Sequence, residues 1–169
     1  MQETGISPDE NLSRQLKLAM RGLASSVTIL STVDAQGRRN AMTATSTTAL
    51  TMEPPAMLVC VNRATSFFAA LSEGADFAIN ILAADQAPLA TLCASGAKGE
   101  DRFACGGWRE DDRRIPYLAD AQAAILCAQD GQMRYGTHAI VIGRVRAVHL
   151  PRAIDPLVYA DGGYRVLGG

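Results

Sequence analysis

Five hydroxyl side chains fall within six residues in Thr43-Ala44-Thr45-Ser46-Thr47-Thr48, a run followed by Leu50-Thr51 and Pro54-Pro55. Short hydroxyl side chains, with one alanine among them, leave backbone N–H and C=O groups approachable. A flat heteroaromatic ring suits such an edge, where donors and acceptors stand in line and nothing bulky intervenes. Threonine also favours strands, so the run reads equally as the polar face of an ordinary edge strand. Further along, Thr65 or Ser66 can cap a short helix, and a helix N-terminus attracts anions. Arg63 and Arg102 can add charge-assisted contacts to a phosphate there, although each alone reads as a solvated surface residue. His138, at the expected start of a strand, carries an imidazole that can donate or accept a hydrogen bond. Without context it is a plain polar residue, as is His149.

Other chemistries find less support. The four cysteines (Cys60, Cys93, Cys105, Cys127) show no C-x-x-C spacing, and only two histidines are present, so no metal centre is expected. Cys60 and Cys127 sit in apolar stretches where a thiol acts as a small hydrophobe, and all four are expected to be structural. No nucleophile–histidine–carboxylate set suggests itself. A G-x-G-x-x-G motif and sustained strand–helix–strand alternation are both missing, which disfavours a Rossmann domain.

The elements that must position these residues follow from periodicity and turn residues. Ser7-Pro8-Asp9-Glu10 reads as a capped helix start, with Leu12, Leu16, Met20 and Leu23 on one stripe and an end near Gly22. Val27 to Val33 is rich in β-branched residues, Asp34-Ala35-Gln36-Gly37 is a tight turn, and Arg38 to Ser46 is the returning strand. A strand is expected over Met57 to Val61, a helix over Ser66 to Leu71, and a strand over Phe77 to Leu82. Asp85 to Ala94 reads as a helix with Leu89 and Leu92 inward. Residues 95–116, with four glycines and the only tryptophan, Trp108, read as a long surface excursion. Strands Ala123 to Gln129 and Ala139 to Val148 flank a turn around Gly131, and Pro156 to Leu167 is a loop with a short strand. Strands outnumber helices and short turns join several of them, so the expected fold is mainly β, an antiparallel barrel with a few flanking helices.

With 169 residues, nearly half of them apolar, one domain over 1–169 with a real core is expected. Sixteen basic and seventeen acidic residues nearly cancel, so neither nucleic acid nor a membrane surface is an expected partner. No apolar run reaches the roughly 18 residues of a spanning helix, and residues 1–15 are too polar for a signal peptide. A soluble, cytoplasmic protein is the expectation.

Set in order along the chain, the motifs carry a resemblance. They begin with Met42-Thr43-Ala44-x-Ser46, Pro54-Pro55, Leu58-x-Cys60-Val61-Asn62 with Ser66, Phe77-x-x-Asn80-x-Leu82, Gln86, Arg102-Phe103 and Trp108. Pro116-x-Leu118, Cys127, Gly136-x-His138, Ile142-Gly143-x-Val145 and Pro156-Leu157-x-Tyr159 with Tyr164 complete the set. Over residues 17 to 167 this resembles the flavin reductase family with an FMN-binding split barrel, the reductase components of two-component flavin monooxygenases and their relatives. The chain departs from many relatives at Ala41 (glycine), Thr45 (serine) and Thr137 (aspartate).

The resemblance implies a Greek-key split barrel that dimerises, with flavin at or near the subunit interface. It implies hydride transfer from NADH or NADPH to FMN, with FAD as the alternative, and delivery of reduced flavin to a partner monooxygenase. Relatives also include bound-FMN reductases of a corrinoid, quinone or metal complex and non-enzymatic flavin-binding modules. The implied flavin-binding positions are Thr43, Ala44, Thr45, Ser46, Thr47, Asn62, Arg63, Ser66, Asn80, Arg102, Phe103, Tyr159 and Tyr164. His138 is the implied catalytic position on the nicotinamide side.

Overall fold

The computed structural model describes residues 8–167. Its first element is a helix, α1 (Pro8–Met20), so the capping role expected for Ser7 lies outside the described residues. The stripe residues Leu12, Leu16, Met20 and Leu23 are all exposed, and α1 does not use them against the core.

A seven-stranded, wholly antiparallel sheet forms the body. Its strands are β2 (Thr28–Val33), β3 (Arg39–Ala44), β4 (Thr47–Met52), β5 (Pro55–Asn62), β6 (Phe77–Ile81), β9 (Ala123–Tyr135) and β10 (His138–His149). They lie side by side in the order β3-β2-β6-β9-β10-β5-β4. Three smaller strand pairings accompany it. A strand β1 (Ser25–Ser26) pairs with β11 (Leu157–Ala160), β11 pairs with β12 (Gly163–Val166), and β7 (Trp108–Glu110) pairs with β8 (Pro116–Leu118).

The edge strands β3 and β4 are consecutive in sequence and are linked only by Thr45 and Ser46. Three residue steps from Ala44 to Thr47 span at most about 11 Å, so the sheet must curl until its edges approach each other at that link. The edges approach there without pairing to each other, and the sheet does not close.

Side-chain alternation along the strands assigns two cores. Leu30, Val59, Val61, Phe77, Ile79 and Val141 face one way and receive Phe67, Phe68 and Leu71 of α2 (Ser66–Ser72). Val27, Ile29 and Ala41 face the other way, against Leu89, Ala90 and Cys93 of α3 (Ala87–Ala94) and against Phe103 and Leu118. Each fully buried phenylalanine or leucine contributes roughly 1.5–3 kcal/mol, so α2 and α3 are fixed to the sheet by these side chains.

Three expectations are corrected. The chain does not turn at Gly131, which lies inside the thirteen-residue strand β9. The turn comes at Gly136-Thr137, where Gly136 takes a φ of 53° that glycine adopts freely. The register shift between Ile142 and Gly143 lets β9 run on through Gly131. Second, the returning strand ends at Ala44 rather than Ser46, because Ser46 leaves β2 and pairs with Cys60 of β5. Third, residues 95–116 are not merely a surface excursion: Phe103 and Ile115 are buried, and Asn80 holds the Leu118 backbone N–H at 2.8 Å. Leu89 is buried as expected, whereas Leu92 is only half-buried.

Among the described residues no helix is long and apolar enough to cross a membrane, and no cluster of His, Cys, Asp or Glu could hold a metal ion.

Candidate functional site

At the link between the two sheet edges the surface opens into a cavity of about 410 Å³. Met42, Thr43, Ala44, Thr45 and Ser46 form one wall, and Cys60 and Asn62 from the end of β5 form the next. His138 enters from the start of β10, and Tyr159 and Tyr164 close the far side. The strand ladder explains the company: His138 pairs with Asn62, and Tyr159 pairs with Tyr164, whose rings meet edge to face at 5.7 Å.

The hydroxyl run is thus split between several tasks. Thr43 donates its hydroxyl to the Ala90 carbonyl of α3 at 2.6 Å and anchors the wall to that helix. Ser46 donates to the Cys60 carbonyl at 2.8 Å. Thr45 is exposed, and no partner holds its hydroxyl among the described residues. Ala44 lines the cavity yet is only 8% exposed, so its methyl group belongs to the core. Thr47 lies opposite Val59 and lines neither this cavity nor the next. His138 is exposed, and its Nδ1 lies 2.9 Å from the Thr137 hydroxyl.

A second cavity of about 790 Å³ adjoins the first through Met42, Thr43 and Ala94. Its walls are the β2–β3 turn, the first turns of α2, and the 93–99 segment with Arg102. Ser66 and Thr65 line it. Thr65 caps α2 by accepting the Phe68 N–H at 3.1 Å, so that N–H is already taken.

Four cations line this cavity. Arg38 is paired with Asp34 at 2.8 Å, and the Arg38 backbone N–H together with the guanidinium holds the Asp34 carboxyl below the usual carboxylate range. Arg39 is paired with Glu100, whose carboxyl is likewise lowered by that contact, and its guanidinium lies over the Phe103 ring at 4.3 Å. Arg102 donates to the carbonyls of Ala97 at 2.7 Å, Ala41 and Ser95. Lys98 is the fourth, and it is exposed.

Besides Thr47, three expected flavin positions lie elsewhere. Asn80 is fully buried; its amide donates to Ile29 O and Ser31 Oγ and accepts from Leu118 N–H. With every polar atom committed inside the protein, it joins the sheet to β8 rather than meeting a ligand. Phe103 packs in the second core against Trp108. Arg63 donates to the Gly136 carbonyl at 3.0 Å and ties the β5–α2 loop to the β9–β10 turn. Arg102 does line the larger cavity, but its donors serve backbone carbonyls, so it shapes that wall.

The sequence reasoning missed Met42, Cys60, Ala94 and Lys98 as lining residues. The signal for Lys98 was the small-residue run Ser95-Gly96-Ala97-Lys98-Gly99 directly after an apolar helix. Cys60 was expected to be purely structural, but it is half-buried at the cavity wall.

Comparison with known proteins bears on what this arrangement serves. Residues 20–168 match the flavin reductase like domain. The chain is 35% identical over 157 residues to the reductase component of an FADH2-dependent resorcinol hydroxylase from a Rhizobium strain, covering 92% of this chain and 87% of that protein. It is 37% identical over 126 residues to an NADH:riboflavin 5′-phosphate oxidoreductase of Streptomyces pristinaespiralis, covering 74% and 70%. Among solved structures, BorF, the flavin reductase component of a bacterial two-component tryptophan halogenase, superposes with a TM-score of 0.83 at 32% identity, over 93% of this chain and 99% of that one.

Proposed function

The chain belongs to the flavin reductase like family, and from that membership we propose that it is an NADH-dependent flavin reductase that hands reduced flavin to a partner monooxygenase. The observation that carries this reading is the convergence of Thr45, Ser46, Asn62, His138, Tyr159 and Tyr164 on one cavity at the open seam of the sheet.

The donor set suits an isoalloxazine ring. Hydroxyls at Thr45 and Ser46, the Asn62 amide and the edge backbone of β3 supply polar atoms in a row, and Met42, Ala44 and Cys60 supply apolar contact. When bound, the flavin supplies the redox chemistry, as acceptor of a hydride from the reduced nicotinamide. The chain supplies orientation. The Ser46–Cys60 pair fixes the seam, Thr43 fixes it to α3, and the two tyrosines limit the ring's open side. The Thr137 contact occupies Nδ1 of His138 and leaves Nε2 for the nicotinamide amide or ribose. No residue has to act as a nucleophile or general base. Thr65 and Ser66, which line the adjoining larger cavity, would hold the ribityl and phosphate end.

In this reading the body over residues 17 to 167 is one flavin-binding split barrel working in the cytoplasm as a homodimer. The exposed Leu12, Leu16 and Met20 of α1, with Leu23 just after it, support the dimer, since a second copy would cover apolar surface that this chain leaves bare.

Steady-state oxidation of NADH with and without added flavin tests the proposal. Turnover that rises with added FMN or FAD is expected. Turnover only with another acceptor would indicate a bound-flavin reductase, and no turnover would leave a flavin-binding module.

A further inference from the structure

Resting on the proposed flavin site, we infer that Arg21 is a positioning residue for it. Arg21 holds the tip of the β11–β12 hairpin, and through the hairpin it holds Tyr159 and Tyr164 at the far side of the smaller cavity. The base of the hairpin is locked into the body at Leu157, whose N–H donates to the Leu82 carbonyl at 2.9 Å and whose carbonyl accepts from Val27 N–H at 2.9 Å. Beyond that point β11 has only the two-residue strand β1 beside it, with Ser25 opposite Tyr159, and β12 pairs with β11 alone. Tyr159 and Tyr164 face each other one pair short of the turn, since Ala160 pairs with Gly163. Tyr164 packs at the margin of the second core, whereas Tyr159 is 38% exposed. A shift of the tip therefore carries Tyr159 with it.

The tip is Asp161-Gly162, with φ of 49° and 76°. Two successive positive φ values suit a two-residue hairpin, and aspartate followed by glycine adopts them readily. The turn thus closes without outside help, and a contact from outside fixes its direction relative to the body. Arg21, in the turn that follows α1, makes that contact. Its carbonyl accepts from Asp161 N–H at 2.8 Å, its Nε donates to Asp161 Oδ1 at 2.8 Å, and its Nη2 donates to the Asp161 carbonyl at 3.2 Å. One residue, 140 positions away in sequence, engages the N–H, the carbonyl and the carboxylate of Asp161. Both side chains are more than half exposed, so salt should screen the ionic part of the hold. A chain that hands reduced flavin to a partner must also let it go, and the hold on Tyr159 acts on that release rather than on capture.

Association and dissociation rates of FMN, measured by stopped flow for the wild type, Arg21→Ala, Asp161→Asn and the double variant, test the inference. Asparagine keeps the left-handed turn and removes the charge. Loss of an exposed ion pair should raise the dissociation rate about two- to fivefold, with the association rate unchanged. The double variant should match Arg21→Ala rather than multiply the two effects. High salt should narrow the gap between the wild type and Arg21→Ala. In a Tyr159→Ala background the Arg21→Ala effect should shrink, which a merely structural role for Arg21 would not produce. Dissociation as slow as in the wild type for both single variants, or an Arg21→Ala effect undiminished without Tyr159, overturns the inference while FMN binding still stands. Failure of the wild-type chain to bind FMN at all overturns the proposed function, and this inference with it.

Discussion

Ser46 and Cys60 are joined twice: the Ser46 hydroxyl donates to the Cys60 carbonyl at 2.8 Å, and the Cys60 N–H donates to the Ser46 carbonyl at 3.0 Å. These bonds pin the short link between the two sheet edges onto β5, in the wall of the smaller cavity. Ser46→Ala removes one of them and should lower stability by about 0.5–1.5 kcal/mol. Flavin affinity should fall as well, because the wall loses its fixed position. Urea unfolding and a flavin titration on the same variant check both parts.

Thr45 offers a steric probe of the same wall. It is exposed and lies outside both edge strands, so Thr45→Trp can project an indole into the cavity without disturbing the core. The variant should unfold like the wild type yet lose flavin binding. Ala44 is a poor place for this test, since its side chain packs with Val59, Phe67 and Phe77.

His138→Ala should keep the flavin and act on the donor. Loss of one hydrogen bond costs on the order of 1 kcal/mol, which is about fivefold in affinity. The change should appear mainly in the KM for NADH, or in kcat if the contact forms only in the transition state. Thr137→Val, which removes the partner of Nδ1, should produce a smaller shift in the same parameter. Unchanged kinetics in both variants would remove His138 from the nicotinamide side.

Much of this was legible in the sequence, for physical reasons that can be traced. Val27 to Val33 and Phe77 to Leu82 showed β-branched and apolar patterns that no helix would use, and the structure has β2 and β6 within them. The positions Thr43 to Ser46, Asn62, His138, Tyr159 and Tyr164 were named from motif order, and pairing across β5, β10 and β11–β12 brings them to one cavity. The errors came where long-range contacts decide. Gly131 looked like a turn, but its strand continues because a register shift opposite Gly143 absorbs the irregularity, and a Cβ at Gly143 would lie 2.5 Å from the Phe77 ring. Asn80 looked like a ligand because buried asparagines and binding asparagines share one sequence appearance. Only its three partners in β2 and β8 tell them apart.

Alkaline pH should weaken the fold through two thiols. Burial pushes Cys93 up to about 11 and Cys127 up to about 12. Unfolding returns both to water, where a thiol ionises near 9.0. The folded chain therefore holds these protons more tightly, and the contribution is complete below pH 9 and is lost as pH rises through about 11 to 12. Thermal unfolding of the wild type should decline more steeply over that window than that of Cys127→Ala. Near neutral pH an alkylating reagent should label the exposed Cys105 and spare Cys93 and Cys127 in the native chain.

Anaerobic rapid mixing of the purified chain with FMN and NADH tests the central claim most directly. Bleaching of the flavin should match NADH consumed one for one, run far faster than in flavin and NADH without protein, and disappear in Thr45→Trp. Bleaching no faster than in the protein-free control, with FMN present in excess, would contradict the account.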